Sequence, residues 1–104
     1  MKNHRIDFAA IPWEEAAEGM RFKSVEEGGR RLRLLEISKD FVEADWCRSG
    51  HVGLVLEGEL EIAFEGGVQP FAAGDGIWIP PGESHQHKAR ALTDSVRLIL
   101  FEDV

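Results

Sequence analysis

The sequence predicts an all-β domain, either a sandwich or a barrel of short strands. Short apolar stretches are separated by glycine-rich turns at fairly regular spacing, which is typical of antiparallel β-structure. Hardly any stretch carries the apolar period of an amphipathic helix. With 104 residues, the chain is long enough for one hydrophobic core and too short for two, so we expect a single domain over residues 1–104.

Composition and charge narrow the class of partner. Apolar residues at 43% and charged residues at 30% describe an ordinary globular protein. The net charge of −7 argues against a nucleic-acid backbone or an anionic membrane surface as partner. We find no apolar run near the length of a membrane span and no signal-peptide core at the amino terminus. A single cysteine excludes an internal disulfide framework, and together these features predict a cytoplasmic protein with reduced thiols.

Residues 1–20 form an amino-terminal segment that we expect to pack on the barrel or on a partner subunit. Residues 11–17 are compatible with one helical turn, or equally with a loop that carries a packed tryptophan. The apolar side chains Phe8, Ile11 and Trp13 need a surface to pack on in so short a chain. We therefore expect a homodimer with this segment at its contact.

The first strands are predicted at residues 20–25 and 31–37. They are joined by Glu-Glu-Gly-Gly at residues 26–29, a strong signal for a hairpin turn. Residues 41–47 are predicted to be extended. Alternation would then place one set of side chains on one face and the intervening set on the other. The first set is Phe41, Glu43, Asp45 and Cys47, and the second is Val42, Ala44 and Trp46.

The second half of the chain continues with strands and tight turns. Residues 51–57 carry apolar side chains on both faces, which predicts a central strand covered on both sides. Glycine-containing turns then separate the remaining predicted strands. These strands span residues 59–64, 68–72, 77–79 and 96–101.

The stretch from residue 74 to residue 87 holds the strongest local signal for a site. Pro80, Pro81 and Gly82 exclude helix and force a tight reversal, because neither proline can donate to a ladder. If the chain is extended after this corner, His85 and His87 point to the same side. Two imidazoles on one face are typical of the wall of a site. The alternative is a polar hairpin edge with solvated histidines.

The same stretch resembles the second conserved motif of the cupins. The motif spacing is Gly74, five residues, Pro80, one residue, Gly82, two residues and His85. Upstream, HVGLVLEGELEI resembles the end of the first cupin motif, in which a glutamate precedes the turn glycine by seven positions. Here that glycine is Gly58, and His51 stands in the glutamate position. The resemblance implies a small double-stranded β-helix, the jelly-roll barrel of the cupins.

Metal-binding cupins hold one divalent ion with a His-x-His pair, the glutamate and the second-motif histidine. Carried over to this chain, the second-motif histidine is His85, which matches. The pair falls on Asp45 and Cys47, or with a longer gap on residues that bind nothing, Ala44 and Trp46. The resemblance therefore does not supply a metal site directly.

The substituted residues are nevertheless all competent metal ligands. The candidates are Asp45, Cys47, His51 and His85. Such a mixed set suits Zn²⁺, and without the thiolate it has the two-histidine, one-carboxylate composition that holds non-haem Fe(II). His87 is a substitute ligand or supports a ligand from behind. In the alternative without metal, Cys47 is a small buried hydrophobe, Asp45 caps the turn at residues 48–50, and the histidines bond to each other or to water.

These features lead to three hypotheses of function. The first is an enzyme acting on a small organic substrate, an oxygenase or an isomerase or lyase, with Zn or Fe(II) in the barrel mouth. There, His87 moves a proton or contacts the ligand, and Trp46 stacks on it, unless Trp46 is a core residue. The second is a metal-free module that binds or senses a metabolite. The third, a storage or scaffold protein without ligand, ranks last.

Overall fold

The computed structural model describes residues 4–104 as two antiparallel β-sheets packed face to face. Two 3₁₀ turns, Phe8–Ala10 and Glu83–His85, interrupt the strands. The nine strands are β1 (Glu14–Ala17), β2 (Met20–Glu27), β3 (Arg30–Ser38), β4 (His51–Glu57), β5 (Glu59–Phe64), β6 (Gly67–Ala72), β7 (Gly76–Ile79), β8 (His87–Ala91) and β9 (Ser95–Asp103). The large sheet has the order β1-β2-β3-β9-β4-β7, and the small one β6-β5-β8. This arrangement confirms the predicted all-β jelly roll.

The hairpin between β2 and β3 forms where the sequence predicts it. Glu27 pairs with Arg30, so the loop consists of Gly28 and Gly29 alone. Both glycines have positive φ, 61° and 76°, the conformation that a two-residue hairpin of this kind requires. The tight loop fixes the register of both strands. They extend one to two residues beyond the predicted bounds.

The core lies between the two sheets and follows from alternation along the strands. On β9, Val96, Leu98 and Leu100 are buried, whereas the residues between them face outward. The facing side chains of the small sheet include Leu60 and Ile62 of β5. Because β9 pairs with β3 on one side and β4 on the other, it lies inside the large sheet and carries inward-facing side chains to the end of the barrel.

The amino-terminal segment packs on its own chain. Residues 14–17 pair with β2 as strand β1, so the predicted helical turn at residues 11–17 is wrong. Trp13 lies under the guanidinium of Arg21, 4.2 Å from the ring centroid, and under the ammonium of Lys23 at 4.7 Å. The loop with a packed tryptophan is therefore the closer of the two alternatives. Trp13 needs no partner subunit to cover it.

Residues 41–47 do not form the predicted strand. Only Cys47 makes a bridge, to His87. Phe41 is buried, and the carboxylate of Glu43 accepts a hydrogen bond from the backbone N–H of Ala89 at 2.8 Å. The side chain of Glu43 thus takes the place of a backbone acceptor from a neighbouring strand. The segment stays irregular, although buried and exposed side chains alternate in its first residues.

Strand β4 occupies the predicted range. The prediction that both of its faces are covered is wrong within residues 4–104, because one face is exposed. Val52, Leu54 and Leu56 point away from the core and keep 37% to 45% of their surface exposed. The inward-facing Val55 is fully buried. In the same described range, no helix is long and apolar enough to cross a membrane.

Candidate functional site

Three metal-competent side chains meet at one end of the barrel. The ligand atoms of Cys47, His51 and His87 all lie within 4.8 Å of one another. Cys47 and His87 are held by two reciprocal backbone hydrogen bonds, N–H of Cys47 to the His87 carbonyl at 2.8 Å and the reverse at 2.9 Å. His51 is the first residue of β4. The cluster therefore joins the irregular segment, the large sheet and the small sheet.

A close backbone contact brings Cys47 next to His51. The turn at residues 48–50 packs on the proline corner, where the N–H of Gly82 donates to the Arg48 carbonyl at 2.9 Å. A Cβ at Gly50 would lie 2.9 Å from Pro81, so only glycine allows this approach. The proline corner thus positions the cluster by packing, as well as by reversing the chain.

His51 is oriented by a buried carboxylate at the end of β9. Nδ1 of His51 lies 2.6 Å from Oε2 of Glu102, and Nε2 lies 3.7 Å from Sγ of Cys47. An ionised carboxylate only accepts hydrogen bonds, so Nδ1 carries the proton and donates it. Nε2 faces the cluster, and in a neutral ring it carries the lone pair. Carboxylates support metal-ligating histidines in this way.

Glu102 is ionised because His51 and two arginines surround it. Its side chain is 4% exposed, and burial alone would raise its pKa. The hydrogen bond from His51 and the charges of Arg33 and Arg31 outweigh burial and lower the pKa of Glu102 to about 2. Nη2 of Arg33 donates to Oε2 at 3.0 Å, and Nη2 of Arg31 lies 3.2 Å from Oε1.

His87 is a buried, neutral imidazole. Its side chain is 4% exposed, and its Nδ1 donates to the backbone carbonyl of His85 at 3.0 Å. Burial and the nearby His51 lower its pKa, although the His85 carbonyl and Glu43 act against this. The ring is therefore neutral at neutral pH. Nε2 is the nitrogen free to bind.

The cluster lies on the wall of a cavity of about 200 Å³ between the two sheets. Its polar lining consists of Arg33, Glu43, Cys47, His51 and His87. Most of the remaining wall is aliphatic: Leu35, Leu60, Ile62, Ile77, Ile79, Leu98 and Leu100. The site is thus a small, mostly aliphatic chamber with a few polar side chains on its wall, the usual form of a small-molecule site.

The structure brings together two of the four candidate ligands and leaves two outside. Cys47 and His51 are in the cluster, and His87 completes it. Asp45 is exposed. His85 is exposed too. Residues 83–85 form a 3₁₀ turn in place of the expected extended chain, so the side chains of His85 and His87 do not point to the same side.

Trp46, the other candidate for ligand contact, is outside the cavity lining. Its side chain is 41% exposed, and the ammonium of Lys88 lies 4.9 Å from its ring. The packing alternative for this tryptophan fits no better, since the ring is not buried. We assign it no place in the site.

Sequence reasoning missed Glu102 and Arg33. Both were available from alternation, because β9 places Val96, Leu98 and Leu100 inward and residue 102 continues that series. Arg33 faces Leu100 in register and points to the same side as the buried Leu35. The predicted last strand ended at residue 101, one residue short of the carboxylate.

The three side chains could hold one metal ion. Tetrahedral bonds of usual length to a thiolate and an imidazole place sulfur and nitrogen about 3.6 Å apart. The observed separation between Cys47 and His51 is 3.7 Å. Both histidines have their Nδ1 engaged by an acceptor, which leaves Nε2 free. Two nitrogens and one sulfur are ligands that Zn²⁺ takes in catalytic sites.

Known proteins share this fold. A cupin-2 domain containing protein from Shewanella frigidimarina is 25% identical over 80% of this chain and 79% of its own, with a TM-score of 0.65. A sugar phosphate isomerase of the cupin superfamily from Silicibacter pomeroyi is 14% identical over 96% and 75%, with a TM-score of 0.78. KdgF from a Halomonas species is 23% identical over 89% and 86%, with a TM-score of 0.72. The last two likenesses show the fold alone.

A family model described as a cupin domain matches residues 48–101. This range is more than half of the chain and contains the proline corner, His51 and His87. No curated protein matches the chain. The family match, together with the fold of its structural neighbours, shows that this chain belongs to the cupin family.

Proposed function

We propose that this chain is a small-molecule cupin enzyme that uses one divalent metal ion, Zn²⁺ or Fe(II), held by Cys47, His51 and His87. The observation that carries the proposal is the convergence of three ligand atoms within 4.8 Å on the wall of an interior cavity. A metal ion held by these three residues would lie on the wall of the chamber and would supply Lewis acidity beside a small substrate.

The residues around the site have separate tasks. A bound metal would supply Lewis acidity or an oxygen-binding centre. Glu102 holds the proton on Nδ1 of His51, and the His85 carbonyl does the same for His87, so both rings keep one orientation. The aliphatic walls exclude water. Cys47 must stay reduced to act as a ligand, which agrees with the cytoplasmic location that we propose.

The proposal leaves two reaction classes open. The first is isomerisation or elimination, and the second is oxygenation. One structural neighbour is described as a sugar phosphate isomerase, which supports the first class by fold analogy. A proton-transfer role for His87 is not part of the proposal, because its Nδ1 is engaged and its Nε2 is assigned to the metal.

A metal-free binding or sensing module is the second candidate. The 3.7 Å distance between Cys47 and His51 also suits a weak hydrogen bond from a thiol to Nε2. In that case the cavity binds its ligand by shape and polarity alone. The two candidates differ in metal content.

Elemental analysis of protein purified without chelator tests the proposal. We expect about one Zn or Fe per chain, because three preformed ligands with fixed rings bind tightly. As a second measurement, Co²⁺ added to the stripped protein should give an absorption band from sulfur-to-metal charge transfer through Cys47. Metal-free protein that also fails to bind Zn²⁺ or Co²⁺ would favour the metal-free module.

We also infer a homodimer, formed through the outward face of β4, β7 and β9. Trp78 and Phe101 lie on this face with 78% and 45% of their surfaces exposed. Arg30 and Asp103 pair across the strands at its edge. A two-fold axis would place each against its opposite charge. Light scattering should give the mass of two chains, and of one chain for Trp78→Glu. A single-chain mass for the unmodified protein would contradict the inference.

A further inference from the structure

We propose that the interior cavity binds a short aliphatic monocarboxylate, with its carboxylate group on Arg33 and its hydrocarbon part against the aliphatic walls. The inference deepens the proposed function, since it concerns the cavity beside Cys47, His51 and His87. It rests on the donors of one guanidinium, the balance of charge around it, and the size and lining of the cavity.

Arg33 has hydrogen-bond donors that the protein leaves unused. Its side chain lines the cavity and is 16% exposed. A guanidinium has five N–H donors, and within residues 4–104 this one makes a single hydrogen bond, to Glu102. Nε lies 3.0 Å from the other oxygen of Glu102 but makes no hydrogen bond, and it is the buried side-chain polar atom without a partner in that range. Nε is buried against Glu102 and out of reach of a ligand, so the remaining N–H donors of the guanidinium are the ones left for a ligand in the cavity.

The charges around Arg33 disfavour a ligand with two negative charges. Glu102 faces two guanidinium groups, Arg31 and Arg33, and Arg31 also lies 3.8 Å from a carboxylate oxygen of Glu26, so two guanidinium groups meet two carboxylates. Glu43 lies on the wall of the same cavity and adds a negative charge there. A doubly charged phosphate would meet the Glu43 carboxylate at close range. A carboxylate matches the planar edge of a guanidinium and adds one charge.

The cavity limits the rest of the ligand to a short hydrocarbon chain. An apolar protein cavity of about 150 Å³ holds benzene, so a cavity of about 200 Å³ holds about eight non-hydrogen atoms. Apart from its five polar side chains, the wall consists of leucine, isoleucine, methionine and alanine side chains without N–H or O–H groups. Hydroxyl or amino groups on the part of the ligand that lies against these walls would be buried without partners. Pentanoate has the right size, charge and apolar surface.

Titration calorimetry with pentanoate, pentan-1-ol, succinate and inorganic phosphate tests this inference on the unmodified protein. We expect binding of pentanoate that is roughly tenfold or more tighter than that of pentan-1-ol, because the charged hydrogen bond to Arg33 is lost with the alcohol. Succinate and phosphate should bind more weakly than pentanoate. Equal affinity for the acid and the alcohol, or tighter binding of phosphate, would overturn the inference.

Variants of the two arginines separate direct contact from charge alone. Arg33→Gln should weaken pentanoate binding roughly tenfold, whereas Arg31→Gln should change it less than about threefold. Arg31 contacts the same carboxylate but lines a surface groove and not the interior cavity. Arg33→Lys keeps the charge without the planar edge and should lie between the two. Equal losses in the Arg31 and Arg33 variants would contradict a direct contact.

Metal content is measured on the same samples, so the two proposals fail separately. Pentanoate binding that depends on Arg33 in metal-free protein would support the ligand class and contradict the metal. Bound metal, together with equal affinity for pentanoate and pentan-1-ol, would support the metal and contradict the ligand class. If Arg33→Gln does not fold, the comparison of acid with alcohol on the unmodified protein still decides the inference.

Discussion

Cys47→Ser and His87→Ala are each expected to lose the bound metal, whereas His85→Ala should keep it. The first two changes remove a ligand from a set of three, which should weaken metal binding by at least about a hundredfold. The side chain of His85 is exposed, and its contribution is a backbone carbonyl that alanine retains. The measurement is metal per chain after dialysis, with competition by a chelator to rank affinities.

The control in this series is Asp45→Asn, which removes the other candidate carboxylate. Asp45 is exposed and absent from the cluster, so its variant should bind metal like the unmodified protein. Metal lost in His85→Ala or Asp45→Asn, but kept in His87→Ala, would contradict His87 as a ligand. It would support the ligand positions that the cupin motif implies. A thiolate band that persists in Cys47→Ser would exclude the sulfur ligand.

The strands and turns follow from local sequence, which explains why most were predicted. Gly28 and Gly29 need only their own positive φ to close a hairpin. Alternation of apolar residues sets the faces of β9 without reference to any other strand. Strand β8, which begins at His87, lacks such a pattern and was missed.

The site depends on pairings between distant residues, and local patterns do not specify these. Cys47 enters the cluster through its backbone bridge to His87, forty positions along the chain. His87 replaces His85 because three residues after Gly82 take a 3₁₀ turn, and the proline corner permits either conformation. The motif therefore located the right segment, and the conformation of one turn decided which histidine enters the barrel.

Glu102→Gln is expected to lower the free energy of unfolding by about 3 kcal/mol at neutral pH, because it leaves two arginines without a buried counter-charge. It should also weaken metal binding roughly tenfold or more, since His51 loses the group that fixes its proton. Glu36→Gln is the matched control. Glu36 also bridges two arginines, Arg21 and Arg97, but is more exposed and should cost about 1 kcal/mol.

The same carboxylate predicts how stability depends on pH in the chelator-treated protein. Burial acts to raise the pKa of Glu102, but His51, Arg33 and Arg31 lower it from 4.5 to about 2. Between these values the unfolded chain binds the proton and the folded one does not. The stabilisation is therefore complete above pH 4.5 and is lost as the pH falls towards 2, by about 3 kcal/mol in total. Denaturant unfolding from pH 7 to pH 2.5 should show this slope for the unmodified protein and a shallower one for Glu102→Gln. Parallel profiles would contradict the assignment of Glu102 as the ionised group that holds this end of the barrel together.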